Sequence, residues 1–404
     1  MIVTISQAWT KNRKLPVTPI VILSTLIMSA LSSNNVRVFL SGVLIGYVFI
    51  HFNFGFTLFW KKLFVEKKTL GLRSHLCLLA IGAILFYPAL NLLPANGYEV
   101  SGAVRPIGLN VLVGAFLFGI GMTLADSCSS GTLRQLGQFN LRYWWLFLWI
   151  VISGTFAAYH LEAWQSLPSW GIFSLATDLS WPIGLAITLT VIALLYALLL
   201  KVESHHHNQV TPLFYHQGFL NYHNIHTLFW SALLLALLNF VILLLSGHPW
   251  AISWIFPKLG IITIQKLNLP FEWDFWEFSA QNESALLKSF YKDNIMLTNL
   301  GFIAGISSYV LTKRLFSERP TKPNSSDERT KASPVLIGLT PILAGCLMGY
   351  GAVISYGCNI GGFFSAIISG SLHGWLWFIS ALLGMAFTLW VKPLVSLSLS
   401  NLKP

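Results

Sequence analysis

Charge is what this sequence has least of. Asp, Glu, Lys and Arg make up 10% of its 404 residues, against about 25% in a typical soluble domain. Acids are scarcer than bases, 14 against 25, while 55% of the chain is hydrophobic. That leaves too little polar surface to cover a water-facing globule, which excludes a soluble enzyme and a disordered chain. A nucleic-acid-binding protein is excluded as well, because its bases would line a folded face and here they cluster between apolar runs. The net charge of +11 suits basic loops beside an anionic leaflet. Cysteine is also scarce: Cys77, Cys128, Cys346 and Cys358 form no CxxC pair, so a disulfide framework is not expected. No GxxxxGK[ST] loop is present, which argues against direct ATP use. His205, His206, His207, His216, His223 and His226 crowd one segment, without an acid or cysteine at zinc-ligand spacing. They read as a solvated loop, and no metal, cofactor or catalytic residue is expected.

What is present is a series of long apolar runs. A membrane-spanning helix needs about 20 such residues, and stretches near 17–33, 37–60, 76–94, 109–126, 143–161, 182–200, 229–246, 295–311, 335–356 and 374–396 qualify. The fold class is therefore all-α and polytopic, with about ten spans. The first run follows Lys11, Arg13 and Lys14; with no A-x-A-like site after it, an uncleaved helix is favoured over a signal peptide. Loops 61–75 and 312–334 are rich in Lys and Arg, which places them and both termini in the cytoplasm. Segments 163–181 and 248–294 read as external, and the Pro/Ser/charge-rich 317–334 as a flexible linker. The chain divides into a membrane half over 1–200, a His-rich cytoplasmic loop over 201–228 and a second membrane half over 229–404. Trp144, Trp145, Trp375 and Trp377 suggest interfacial belts.

The two halves share a pattern. Setting Gly119-Ile-Gly121 on Gly349-Tyr-Gly351 brings Cys128 onto Cys358 and Gly131 onto Gly361 without a gap, and Trp145 and Trp375 each fall seventeen residues past their cysteine. By loop charge the two copies run in opposite directions, an inverted repeat of the transporter kind. Each copy is a glycine-laced helix that stops at a short polar stretch, Asp126-Ser-Cys-Ser-Ser-Gly131 or Tyr356-Gly-Cys-Asn-Ile-Gly-Gly362. Non-helical backbone at membrane depth is tolerated only inside protein or along a watery cavity. A helix restarting after the break would aim free N–H groups at the cysteine, forming an anion site. Thiols, amide N–H groups and the hydroxyls of Ser129 and Ser130 suit a soft, sulfur-bearing anion better than a metal cation. The glycines at 42, 46, 119, 121, 349 and 351 read as helix-packing positions, and Cys77 and Cys346 as small apolar fillers. Asp126 reads equally as a pathway acid or an interfacial helix-end residue.

These segments resemble the paired signatures of the YeeE/YedE sulfur-transport family, whose members include bacterial thiosulfate uptake proteins. The first signature, G-G-C-x-x-G-T, is matched by Asp126-Ser-Cys-Ser-Ser-Gly-Thr132, with Asp126 and Ser127 in place of glycines. The second is matched by Gly357-Cys-Asn359 and Ser371-Leu-His-Gly-Trp375, and Gly42–Trp60 and Trp250–Gly260 are similar to further family segments. The resemblance implies an hourglass-shaped inner-membrane permease with short re-entrant helices. Thiosulfate would pass along a line of cysteines by thiol hydrogen bonds. Cys128 and Cys358 match two of the family's three. The third, in an aromatic-Cys-aromatic setting, is replaced by Gly55 within Phe54-Gly55-Phe56. The implied pathway comprises Cys128, Cys358, Ser129, Ser130, Gly131, Asn359, Gly361, Gly362, Gly55 and Asn53. Expected partners are the anion, the lipid bilayer and a cytosolic sulfur-carrier protein, with no nucleic acid. Three alternatives stay open: a membrane thiol redox protein, a non-transporting homologue, and a transporter of another sulfur or selenium species.

Overall fold

The computed structural model describes residues 33–213, 225–273, 276–316 and 334–400. The expected first span up to residue 32, residues 317–333 of the expected 317–334 linker, His216 and His223 lie outside the described residues. Fourteen α-helices organise the rest: α1 Asn34–His51, α2 Phe56–Glu66, α3 Leu70–Ala95, α4 Leu109–Leu124, α5 Ser129–Gly137, α6 Leu141–Tyr159, α7 Leu161–Gln165, α8 Trp181–His207, α9 Thr227–Ser246, α10 Ile255–Lys266, α11 Glu277–Leu286, α12 Asn294–Phe316, α13 Pro334–Ile354 and α14 Leu372–Ser400. Between α13 and α14 lies a re-entrant segment, Asn359–Ile368, whose first seven residues are π-helical. Among the described residues, eight helices are long and apolar enough to cross a membrane, nine if α13 and the re-entrant segment count as one span bent by 41°. These cover every expected run from 37–60 onward.

Small residues set the packing. Between helices in lipid no hydrophobic drive exists, so close backbone approach through Gly-xxx-Gly faces supplies the contact. Gly42 and Gly46 of α1 lie against the backbone of Thr298 and Phe302, while Gly301 and Gly305 of α12 lie against Phe39 and Val43. The pairing of residue 42 with 298 and 46 with 302 makes these two helices parallel. Gly119 abuts Ala381, Gly121 abuts Ala344 and Met348, Gly349 abuts Ile150, and Gly351 abuts Gly114 and Phe118. All six glycines read from the sequence as packing positions are packing positions.

The same contacts resolve the repeat. Gly114 meets Gly351 and Ile354 while Gly121 meets Ala344 and Met348, so α4 and α13 run antiparallel. The third helix of each copy packs on the first helix of the other: α6 on α13, and α14 on α4. Reciprocal contacts of this kind define a two-fold relation between inverted copies.

Three features depart from the sequence reading. A two-stranded antiparallel ribbon, β1 Pro106–Gly108 with β2 Ser169–Ile172, interrupts the helical fold; segments of three and four residues are too short to show a strand period. His205, His206 and His207 form the last turn of α8 rather than part of a loop, a position where histidine suits the helix dipole. Trp377 is fully buried instead of interfacial; its indole Nε1 donates to Ser355 Oγ at 3.0 Å and Gly357 O at 3.2 Å. Trp144 and Trp145, by contrast, are nearly half exposed.

Candidate functional site

Three helices stop and restart across a four-residue interruption: α1 to α2, α4 to α5, and α13 to the re-entrant segment. The backbone is the same each time. An N–H bonds five residues back, from Phe54 to Phe49 O (3.1 Å), Ser127 to Met122 O (3.1 Å) and Gly357 to Ala352 O (2.8 Å). The residue just before each donor is left-handed: Asn53 at φ 50°, Asp126 at 52° and Tyr356 at 59°. This is the Schellman helix end. Asn and Asp tolerate the left-handed region, whereas Tyr seldom enters it. One residue past the donor the chain is extended and caps the next helix, and that residue is Gly55, Cys128 or Cys358. The third thiol position of the resemblance therefore has the same backbone as the other two, without the sulfur. A Cβ built on Gly55 meets no atom within 4 Å.

The restarted helices meet one another. α5 packs on the re-entrant segment and on α1, and α2 packs on α4; Phe56 and Trp60 of α2 set their rings 6.2 and 5.3 Å from Phe363. Each restart is short, 11 residues in α2 and 9 in α5, so neither crosses a bilayer alone. The α5 N-terminus turns toward its sulfur: the Gly131 N–H donates to Cys128 Sγ at 3.5 Å, with Ser130 Oγ 3.2 Å away. Cys358 caps the re-entrant segment from an extended backbone without a side-chain hydrogen bond. The two thiols lie within electrostatic range of each other, both free and both buried.

Several polar atoms on these and neighbouring segments lack partners. Ser129 Oγ, Thr57 Oγ1, Arg134 Nε, His75 Nε2, His373 Nε2 and both amide atoms of Asn359 are buried and unbonded. Such groups are rare because each forfeits its hydration. Gly131 holds its Cα against Ser127 Oγ, Gly361 has open space beside it, and Gly362 packs on the Trp377 indole. The ten residues expected along the pathway lie in the breaks or in the first turn of the segments that restart after them, and Gly362 makes room for Trp377.

Two cavities face the breaks from opposite ends. One, of about 400 Å³, is lined by Arg105, Trp250, Ser253, Tyr356, Gly361 and His373 among others. The other, of about 360 Å³, is lined by Thr57, Leu58, Lys61, Lys62, Val65, Glu66 and Asp126. They share no lining residue, and neither cysteine lines either one. Asp126 lies in the break after α4 and lines the second cavity; its carboxylate is more than half exposed and pairs with Lys61 at 2.5 Å.

Sequence reasoning missed Arg134. It lies on α5 within electrostatic range of Cys128 and donates to Asn53 Oδ1 at 2.6 Å and Phe54 O at 3.3 Å. It forms no ion pair among the described residues. No local signal marked it, since it lies in the polar stretch between the runs 109–126 and 143–161. Arg105, Thr57 and Tyr356 were equally unmarked.

The fold and site together define a polytopic membrane protein with a thiol-bearing inverted repeat. A family model described as sulphur transport matches residues 51–387, and the chain belongs to that family. Over 102 residues it is 31% identical to "Probable transporter YedE" of Salmonella typhimurium, covering 24% of this chain and 23% of the relative. Over 107 residues it is 26% identical to "Probable transporter YedE" of Escherichia coli strain K12, covering 26% and 25%. The matched stretches thus span about a quarter of the length of these curated relatives.

Proposed function

We propose that this chain is a permease of the bacterial inner membrane that imports a small sulfur-containing anion, thiosulfate first among them, past Cys358 and then Cys128. The observation that carries this reading is the placement of two buried thiols at matching helix breaks, with unpartnered polar atoms on these and neighbouring segments, between two cavities that open at opposite ends. The basic residues around the second cavity, Lys61 and Lys62, support a cytoplasmic position for it by the positive-inside rule, with the first cavity external on this reading. Thiol S–H and amide N–H groups are donors that an anion accepts and a cation does not. Arg134 supplies positive charge on the cytoplasmic side of Cys128, where the Gly55 break provides room but no sulfur. Asp126 offers little repulsion because Lys61 neutralises it. A cytosolic sulfur-carrier protein that consumes the anion would dock on the basic cytoplasmic loops.

Uptake of radiolabelled thiosulfate into a bacterium lacking its own thiosulfate transporters tests the reading. Expression should confer uptake that excess unlabelled thiosulfate abolishes and equal sulfate does not. Uptake of labelled selenite or sulfide in place of thiosulfate would reassign the substrate, and no uptake of any of these from well-expressed protein would contradict the permease.

A further inference from the structure

We infer that the cavity between Arg105 and His373 holds an anion-recognition site, where a sulfur oxyanion accepts from the His373 Nε2–H and the Arg105 guanidinium before it reaches Cys358. The inference rests on the permease reading for its place in a pathway, though not for its chemistry. His373 is fully buried yet lines the cavity. Its Nδ1 lies 2.7 Å from Ser371 Oγ, and that same oxygen accepts the backbone N–H of Arg105 at 3.3 Å. The Ser371 hydroxyl has no other acceptor among the described residues, so its proton goes to His373 Nδ1. A neutral imidazole that accepts at Nδ1 carries its hydrogen on Nε2. That nitrogen is buried and unpartnered, a donor waiting for an acceptor.

Arg105 supplies the charge. It is the one charged residue lining this cavity among the described residues, it forms no ion pair among them, and it interacts electrostatically with both His373 and Tyr356. The turn that carries His373 also fixes its position. Ser369 Oγ accepts the Ala103 N–H at 3.0 Å and Ser371 Oγ the Arg105 N–H, while Gly370, at φ 78°, makes the turn. The site is continuous with the first thiol. Gly361 lines the same cavity, a Cβ built on it would find its nearest neighbours at 3.9 and 4.0 Å, and it stands in the first turn that Cys358 caps.

Calorimetric titration of the purified full chain with thiosulfate, and separately with sulfate, at constant ionic strength tests the site. Wild type should bind thiosulfate. Arg105→Gln and His373→Met should each weaken binding about 10- to 100-fold, the worth of a hydrogen bond to a charged group. His373→Gln should largely retain affinity, because its amide can donate from nearly the same place, and Cys358→Ala should lose uptake. Arg105 is exposed and its side chain bonds only the Val104 carbonyl, so Arg105→Gln keeps the test decisive even where His373→Met fails to fold. Unchanged binding in Arg105→Gln, or no binding of either anion by wild type, would overturn the site. Sulfate binding with the same dependence on Arg105 and His373 would uphold the site and remove thiosulfate as the preferred ligand. Binding that needs His373 together with uptake indifferent to Cys358 would uphold it and remove the thiol pathway.

Discussion

Asn53, Asp126 and Tyr356 each take a left-handed conformation two residues before a helix restarts, and the residue that restarts it decides what the break can do. At 128 and 358 that residue brings a thiol; at 55 it brings open space. Gly55→Cys should therefore fold with an unchanged melting temperature, since φ −169° is ordinary extended backbone, and should raise thiosulfate uptake by adding a third donor. A lowered melting temperature would show that the space is not there. Asp126→Asn should change stability by about 1 kcal/mol at most, because its pair with Lys61 is solvent-exposed, and thermal unfolding in detergent measures this. Cys128 and Cys358 were legible in the sequence because glycines and a tryptophan recur around them at fixed spacing. The Gly55 break was legible only through the family resemblance, since glycine carries no chemistry of its own. Arg105 and His373 are joined by the fold across 268 positions of sequence, a pairing no local pattern reports.

At the scale of the helix, lipid offers no hydrophobic drive, and the glycine faces do the work of association. Gly46→Val should cost about 1–3 kcal/mol or more, because its side chain would meet the backbone of Phe302 and Ile306, which cannot rotate away. Gly55→Ala, which meets nothing, is the matched control. Equal melting temperatures for the two variants would contradict the packing account. The spans themselves were legible from length and hydropathy alone, and their packing faces from the four-residue glycine spacing. The β1–β2 ribbon was not, because so few residues carry no detectable period, and neither was the burial of Trp377, whose partner Gly357 is set by the helix break rather than by the indole.

Across the whole molecule, buried ion pairs tie the connecting segments to the bundle. Lys258 of α10 is fully buried, pairs with Asp293 at 2.5 Å and donates to the carbonyls of Ala285 and Lys288 at 2.7 and 3.0 Å. It thereby holds α11 and the approach to α12 over the cavity lined by Arg105 and His373. Lys258→Met alone should cost about 3–5 kcal/mol by leaving Asp293 buried and unpaired, and adding Asp293→Leu should recover much of the loss; urea unfolding of both variants measures it. At the other end Arg73 and Glu203 form a second buried pair, 3.0 Å apart, which Thr69 joins through its hydroxyl. None of these pairs was legible from the sequence, because the partners lie far apart along the chain and nothing local marks them. The inverted arrangement of the two copies was legible, since loop charge fixed the direction of each.

On the proposed function, an anion crosses the closed middle of the protein by way of the two thiols. Radiolabelled thiosulfate uptake, compared among wild type, Cys128→Ala and Cys358→Ala at matched membrane expression, tests it most directly. Loss of most uptake in both variants, with melting temperatures near wild type, is the predicted result; uptake that persists in either one would contradict the thiol pathway.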